Sequence, residues 1–514
     1  MKQLFAIACF LVLIWSTGIS QTLSIENIQK ISLRNSGAIK EGTDVKGYYF
    51  FYVSDKIDKN TYEYTLQITD NTLKKLKEIK FMDSKKVMVL ESSFNGQDLI
   101  FLLYDNEANT LEYNIYGLDA KKKYSYVRSL TKKEDRYLRT SYLAINDDEQ
   151  TYKGLYGIEG KGFISNTPSR EDKDFTFQVD FFSSEKKKQW SYTPTQGAKI
   201  FMGDFLGVNN NVVYFQMLRF TSRLDQKPES YVIGLDIETG KLVFDNSTEK
   251  SKYKFYPANM FVINGKSYMF GEFFDPNENI FKDKSNGFAF WGIDEKGTIT
   301  SEKYISWATD LGKFLDAKSN GKIDDFGFLY LHNMIQASDG SIYAVGEGYK
   351  KTVSALGVAA RMLSNNADIS ILKAKITDLA IIKFDKDFNV TDAKIYDKNS
   401  NNVELPSGYE FMSTPLMGKL LKYTFGEFDY AYTQTNKDGS SFTICYSDYV
   451  RGKDYKGSTF NAISYNDGVI TTDKIQTKSS ASRSIVLPAS QGQVLIMEYF
   501  RKEKKLELHF EKLN

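Results

Sequence analysis

Apolar and polar residues alternate along the chain in short runs, and many runs end in a turn built on Asp or Asn. Residues 231–236 (YVIGLD) are typical: the turn residues Glu238, Thr239 and Gly240 follow, and then a second apolar run over 242–244. Asp and Asn side chains bond to their own backbone two residues on, and Gly permits a positive φ. Each copy therefore predicts two antiparallel strands joined by a tight turn.

The spacing of these turns indicates the architecture. The anchor residues are Asp70, Asp119, Ser183, Asp236, Asp294, Asp385 and Asn466, with weaker copies at the first and third. The first five are roughly 50 to 65 residues apart, close to the about 40 to 60 residues of one four-stranded propeller blade. Seven anchors and a final hairpin predict an all-β fold, a seven- or eight-bladed β-propeller. Tandem β-sandwiches are the alternative, but no Pro/Gly/Ser-rich linker divides the chain, which favours one domain over residues 21–514.

The final hairpin, residues 494–500 and 505–510, lacks the fourth strand of a complete blade. We expect residues 24–33 to supply that strand. This pairing would close the ring and cover its exposed strand edges.

Helical insertions are predicted where the spacing lengthens after Asp294. In residues 306–318, Trp307, Leu311, Phe314 and Leu315 lie on one helical face, with Ser306 as N-cap, which predicts a short surface helix. Residues 352–364 are apolar and rich in small side chains. They predict a helix that leaves the sheet and covers one end of the ring. A channel plug or lid, or a helix that docks a partner, is the alternative.

The first twenty residues have the pattern of a secretory signal peptide. Lys2 precedes an unbroken apolar run over residues 4–15, and the small residues Gly18 and Ser20 predict cleavage after Ser20. The run is shorter than the about twenty residues that span a bilayer. An uncleaved anchor is the alternative. We predict an exported protein, periplasmic or extracellular, with no transmembrane segment after cleavage.

Charge and residue content narrow the candidate chemistry. The net charge of +2 lacks the footprint of a nucleic-acid binder. Cys9 lies in the signal, so Cys445 remains alone, and its apolar surroundings predict a buried small hydrophobe. His332 and His509, the two histidines, lie in strand-like runs and are predicted to be structural. A His/Cys zinc site or a catalytic triad has almost no residues to use. We predict no catalytic, cofactor-binding or metal-binding residue and no cofactor.

Two sets of carboxylates need separate consideration. Residues 385–389 (DKDFN) imitate the start of a calcium loop, but Val390 replaces the required Gly, which favours a solvated turn. Asp324 and Asp325, and residues 146–149, are acidic clusters. Paired carboxylates can hydrolyse glycosides at suitable separations. Solvated loops are the simpler interpretation of both clusters.

Several features together resemble a group of uncharacterised exported bacterial proteins with propeller-like repeats. They are the export signal, the Lys/Asn/Tyr/Phe-rich composition, the Gly-Leu/Ile-Asp turns such as 117–119, 234–236 and 292–294, and the apolar insertion at 352–363. The resemblance spans most of the mature chain. It implies a propeller fold, and it offers no activity to transfer to this chain.

Our leading functional prediction is an exported, non-enzymatic propeller that presents a loop face to a protein, peptide or glycan of the cell envelope. The first alternative is a carbohydrate-active enzyme that uses Asp and Glu in the propeller channel. The second is an envelope scaffold protein that docks through the 352–363 helix.

Overall fold

The strands form consecutive antiparallel sheets, as the computed structural model shows. It describes residues 22–139, 153–171, 174–185, 188–195, 199–222, 225, 227–353, 372–405, 412–426, 428–452, 455–478 and 480–513. One continuous eight-stranded sheet is two four-stranded units joined by a single parallel pair, Phe175 with Ile200. Counted as units, the sheets make eight blades, each of which starts at an inner strand and ends at an outer one.

The first four blades follow the chain in order. Blade 1 contains β2 (Lys30–Ile31), β3 (Gly37–Glu41), β4 (Asp44–Lys56), β5 (Thr61–Asp70) and β6 (Lys75–Ser84). Blade 2 contains β7 (Val87–Phe94), β8 (Asp98–Asp105), β9 (Thr110–Gly117) and β10 (Lys122–Ser129). Blade 3 contains β11 (Leu155–Ile158), β12 (Gly162–Glu171), β13 (Asp174–Ser183) and β14 (Lys188–Tyr192). Blade 4 contains β15 (Ile200–Asn209), β16 (Val212–Phe220), β17 (Glu229–Asp236) and β18 (Leu242–Ser247).

The second four blades repeat this order. Blade 5 contains β19 (Lys254–Ile263), β20 (Lys266–Phe274), β21 (Gly287–Ile293) and β22 (Ile299–Ser306). Blade 6 contains β23 (Phe328–Gln336), β24 (Ile342–Val353), β25 (Leu372–Phe384), β26 (Val390–Tyr396) and β27 (Asn401–Glu404). Blade 7 contains β28 (Tyr430–Thr435), β29 (Ser441–Arg451), β30 (Lys456–Asn466) and β31 (Val469–Gln476). Blade 8 contains β32 (Arg483–Pro488), β33 (Gln493–Phe500), β34 (Lys505–Lys512) and, as its outer strand, β1 (Thr22–Ile25).

The two ends of the chain meet in blade 8. β1 pairs antiparallel with β34, with Thr22 opposite His509 and Ile25 opposite Leu506. The N-terminal segment therefore closes the ring as predicted, but the closing strand ends at Ile25 and does not extend to residue 33. Lys30–Ile31, within the predicted strand, pairs with β4 of blade 1 instead. A buried cluster that joins strands of blade 8 to blade 1 completes the ring.

Packing between blades forms the core. Each of the eight neighbouring pairs of blades has its own buried apolar cluster. Aromatic rings fill these interfaces: the centroids of Phe51 and Phe101 lie 4.5 Å apart across blades 1 and 2. Because one aromatic side chain buries about 150–250 Å², the high Phe and Tyr content serves this packing. The all-β propeller prediction is confirmed, and the described residues form eight blades.

The ring has two unlike faces. Tight turns after the inner and third strands of each blade lie on one face, which we call the short-turn face. Connections after the second and outer strands lie on the other, the long-connection face, which carries the longest ones, such as those after Ser129 and after Ser306. The Asp anchors shape the short turns: the Asp294 carboxylate accepts bonds from the Lys296 and Thr298 amides at 2.9 and 2.7 Å. Asp385 does the same with the Asp387 and Asn389 amides, so the calcium-loop look-alike is an ordinary turn.

Helices occur in the long connections. The connection after blade 2 contains helix α1 (Lys132–Leu138), which begins at a capping box between Thr131 and Glu134. After blade 5, Ser306 precedes a π-helix (Trp307–Leu311) that continues as α2 (Gly312–Leu315). The predicted insertion at 306–318 is therefore present, but its apolar face differs from the prediction. The wider π turn leaves Trp307, Leu311 and Leu315 buried and Phe314 exposed.

The connection after blade 6 contains helices that the sequence did not predict. They are α3 (Thr414–Leu420) and a second π-helix (Leu421–Phe425). The predicted helix at 352–363 lies outside the described residues from 354 onward. Among the helices of the described residues, none is both long and apolar enough to cross a membrane.

Candidate functional site

Helix α3 and the π-helix that follows it lie over the inner strands at the long-connection face. We call residues 414–425 the plug. Pro415 occupies the first turn of α3, where its missing N–H breaks no helical bond, and Gly426 ends the plug with a φ of 62°. Ser413 is the N-cap residue but makes no capping bond; its Oγ donates to the Ile280 carbonyl of blade 5 at 2.7 Å.

Lys419 attaches the plug to blades 4 and 5. Its ammonium forms an ion pair with Asp204 on β15 and donates to Gln216 Oε1 and Tyr256 OH, both at 3.3 Å. The side chain of Lys419 is 11% exposed. Burial lowers the pKa of Lys419, but the negative charge of Asp204 outweighs it and raises the pKa above its usual value. Lys419 is therefore a fixed cation at this end of the channel.

Apolar contacts hold the rest of the plug. Met417 and Leu421 are buried against Tyr330 and Tyr349 of blade 6, while Leu416 packs among residues of blades 4 and 5. Lys422 lies 5.3 Å above the ring of Tyr430, on the inner strand of blade 7. The plug thus contacts the inner strands of four successive blades and covers that part of the channel.

A buried ionic network joins blades 6 and 7 beside the plug. The Lys398 ammonium lies 3.3 Å from Glu347 Oε1 and 2.6 Å from Asp429 Oδ2, and the side chains of Lys398 and Glu347 are fully buried. His332 Nε2 lies 3.0 Å from Glu347 Oε2. The Asp429 and Tyr430 amides donate to the Glu347 carboxylate at 3.2 and 2.8 Å.

Burial shifts the pKa values of this network toward the uncharged forms, and contacts with neighbouring groups decide which residues stay ionised. Burial would raise the pKa of Glu347, but His332, Lys398 and the Tyr430 amide hold it well below its ordinary value. Burial raises the pKa of Asp429 to about 7, with Lys398 opposing the rise. Burial and the nearby Lys422 charge lower the pKa of His332 to about 4. At pH 7 the network therefore contains ionised Glu347 and Lys398 beside a neutral His332.

The structure shows where the residues singled out from the sequence lie. His332 belongs to the network and stacks on Tyr430 with ring centroids 4.9 Å apart, a packing role. Cys445 is buried, which confirms its prediction, and burial raises its pKa to about 12. Asp324 is exposed in a pair with Lys318, and residues 146–149 lie outside the described residues. No three His, Cys, Asp or Glu of the described segments are grouped so that they could hold a metal.

Glu91 is an inner-strand carboxylate whose pKa is raised. Glu91 lies on β7, the inner strand of blade 2, and its Oε2 accepts a bond from the Gly154 amide at 2.9 Å. Burial raises the pKa of Glu91 to about 7, although this bond and the Lys153 charge oppose the rise. Glu91 can therefore exchange a proton near neutral pH.

A cavity of about 800 Å³ lies on the short-turn face, and we call it the mouth cavity. Turns that follow the inner strands of blades 7, 8 and 1 surround it, together with Asn71. Polar side chains outnumber apolar ones in the lining, whose apolar and aromatic members are Val45, Tyr432, Phe442, Ala489 and Val494. Its amide side chains are Asn71, Gln434, Asn436, Gln491 and Gln493. Its charged side chains are Asp44, Lys46, Lys437 and Asp438. No pattern in the sequence indicated this site, because its residues come from four turns that are far apart in the chain.

The chain belongs to a family of unknown function (DUF6770), whose model matches residues 1–514. No curated protein matches it in sequence. Among solved structures, it is similar to a quinohemoprotein alcohol dehydrogenase from Pseudomonas putida HK5, with 11% identity and a TM-score of 0.45, over 96% of this chain and 77% of that one. It is also similar to the WD40 domain of SCAP from fission yeast, with 10% identity and a TM-score of 0.39, over 96% of this chain and 96% of that one. A third similar structure is the β-propeller domain of the Trilobed protease from Pyrococcus furiosus, with 10% identity and a TM-score of 0.32, over 72% of this chain and 95% of that one.

Proposed function

We propose that this chain is an exported, non-enzymatic propeller that binds a protein, peptide or glycan of the cell envelope at the short-turn face. The mouth cavity carries the proposal. Its volume of about 800 Å³ falls within the about 300–1,000 Å³ of ligand-binding pockets. The plug lies over inner strands at the long-connection face, whereas the mouth cavity lies on the short-turn face.

Export rests on the signal pattern of residues 1–20, with Lys2 before the apolar run and Ser20 before the cut. Its test is direct. Expression of the full chain in a bacterial host, followed by fractionation and N-terminal sequencing, should give an exported protein that begins at Gln21. A protein that retains Met1 and stays in the cytoplasm would contradict this part of the proposal.

Binding is tested by thermal unfolding of residues 21–514 against panels of glycans and peptides, and by capture of partners from envelope extracts. A ligand at a hundred times its dissociation constant stabilises the folded state by about 2.7 kcal/mol. The Ser490→Trp variant places an indole in the mouth cavity and should abolish the stabilisation. Gln97→Trp is the matched control, because Gln97 is an exposed turn residue of the same face in blade 2. A ligand that stabilises S490W and Q97W equally would show that the binding site lies outside the mouth cavity.

A second candidate is a carbohydrate-active enzyme that works in the channel. Glu91 favours it, because a carboxyl with a pKa near 7 suits a general acid. Asp204 on β15 is a second inner-strand carboxylate, but it is already paired with Lys419. Product analysis of any glycan that binds decides between the two. Cleavage that Glu91→Gln abolishes would establish the enzyme, whereas intact glycan supports binding alone.

The third candidate, docking of an envelope partner through residues 352–363, remains a prediction from the sequence. Deletion of residues 354–363 should remove that partner from an envelope pull-down. An unchanged set of captured proteins would exclude this route.

A further inference from the structure

The mouth cavity has no net charge. Asp44 and Asp438 balance Lys46 and Lys437. Lys46 Nζ already bonds to Asp44 Oδ2 at 3.4 Å, and Asp438 Oδ1 accepts bonds from the Ser440 amide and hydroxyl at 3.0 and 2.7 Å. Asp44, Lys46 and Asp438 are therefore engaged locally, and because the four charges sum to zero the cavity has no net charge that would select a charged ligand.

The amide side chains give the cavity its binding chemistry. Each carries both a donor and an acceptor. Gln434 Nε2 donates to the Ala489 carbonyl, and Gln491 Nε2 to Ser441 Oγ, both at 2.7 Å. These bonds fix the two amides and leave their Oε1 atoms as acceptors. Among the residues that the structure describes, Asn71 and Gln493 have no side-chain hydrogen-bond partner, so both amides remain available to a ligand.

Hydroxyl groups continue the same pattern around the amides. They come from Thr43, Thr435, Ser441, Thr443 and Ser490, with the phenol of Tyr432. A ligand that satisfies such a lining must itself be rich in groups that both donate and accept. Sugar hydroxyls do both, whereas an apolar ligand would leave these polar groups without partners at a cost of about 1–3 kcal/mol each.

A peptide fits the lining less well. Extended peptides bind by adding to a free strand edge. The inner edge of β28 contributes only Tyr432, Gln434 and Thr435 to the cavity. Of the lining residues of β29, Phe442 and Thr443 already pair on both sides, with β28 and β30. A ladder of main-chain bonds therefore has little room to form.

We propose that the mouth cavity binds a neutral oligosaccharide, held by hydrogen bonds from its amides and hydroxyls. This inference rests on the proposed function, since it names the ligand of the same site. Gln434 and Gln493 are the main contacts, one fixed by its bond to blade 8 and the other without a partner within the described residues.

The test is isothermal titration of residues 21–514 with neutral oligosaccharides, acidic oligosaccharides and short peptides. We expect neutral oligosaccharides to bind with an affinity that does not depend on salt. The double substitution Gln434→Ala/Gln493→Ala should weaken binding by about a hundredfold, which corresponds to about 2.8 kcal/mol. Gln97→Ala, on the same face but outside the cavity, should leave the affinity unchanged. Equal thermal stability of the double variant and Gln97→Ala would show that the weaker binding comes from the lost contacts and not from unfolding.

The other outcomes separate this inference from the proposed function. Neutral oligosaccharides that bind equally to the double variant, or acidic ones that bind in their place with a strong salt dependence, would overturn the inference. A peptide or protein partner lost in the double variant would also overturn it, and would leave the proposed binding function intact. No partner in any arm, envelope capture included, would overturn both.

Discussion

The buried network between blades 6 and 7 gives the sharpest stability prediction. Glu347→Gln keeps the size of the side chain and removes its charge. The carboxylate accepts from the Asp429 and Tyr430 amides and faces Lys398 at 3.3 Å. An amide group cannot accept on both sides, because its NH₂ would face another donor. The Lys398 ammonium, fully buried, would lose one of its two carboxylate partners.

The expected loss of unfolding free energy is about 3 kcal/mol. Removing one partner of a buried ion pair typically costs about 3–5 kcal/mol. The lower end applies here because Asp429 still lies 2.6 Å from Lys398. The matched control is Asp324→Asn, which breaks the exposed Lys318–Asp324 pair, whose side chains are 53% and 75% exposed. Exposed pairs contribute about 0–1 kcal/mol.

Urea unfolding of both variants at pH 7 measures the difference. The dependence of free energy on urea should stay the same, because the surface exposed on unfolding does not change. The double variant Glu347→Gln/Lys398→Met should lose less than the sum of the single variants, since it leaves no unpaired ammonium. A loss below about 1 kcal/mol for E347Q, or an equal loss for D324N, would refute this account of the network.

The pH dependence has a definite sign. The folded pKa of Glu347 lies below its ordinary value of 4.5. The carboxylate therefore contributes stability above about pH 4.5, and this contribution is lost as the pH falls through the folded value. The gap between wild type and E347Q should be full at pH 7 and should narrow below pH 4.5. A gap that widens on acidification would contradict the assignment.

Further predictions concern other parts of the ring. Burial raises the pKa of Glu272 from 4.5 to about 8. As the pH rises between these two values, the unfolding free energy of the wild type should fall by about 1.4 kcal/mol per pH unit relative to that of Glu272→Gln, because only the folded state holds the proton there. Urea unfolding measures both proteins across this range, and unfolding free energies that change with pH in parallel would contradict the prediction. Lys419→Met should destabilise by about 1–2 kcal/mol, since Asp204, 43% exposed, can be hydrated; hydrogen exchange in the plug should speed up, and unchanged exchange would refute its anchoring role. Thr131→Ala should cost about 1 kcal/mol by removing the cap of α1, measured by urea unfolding, where unchanged stability would argue against the cap. A chain that starts at Glu26 should melt below one that starts at Gln21, because β34 loses its outer partner; equal melting temperatures would show that β1 does not close the ring.

Local pattern in the sequence was enough for the repeated parts of the fold. Alternating runs and Asp turns act over a few residues, so the turns at Asp294 and Asp385 have the geometry that the sequence predicted. The plug was missed although Ser413 and Pro415 are ordinary helix-start signals. Its residues lie between the anchors Asp385 and Asn466, a long spacing in which we predicted no helix.

Tertiary structure alone decided the two sites. Glu347 is a single charged residue in an apolar strand run, and only the approach of blade 7 supplies the main-chain donors that stabilise its charge. The mouth cavity depends on closure of the ring, because blade 8, made from both ends of the chain, brings Gln434, Gln493 and Asn71 to one opening. Strand pattern reflects which side chains are buried within a blade. Contacts between blades depend on how strands that are distant in the sequence meet around the axis of the ring. The alternation of apolar and polar residues within a strand does not specify those meetings.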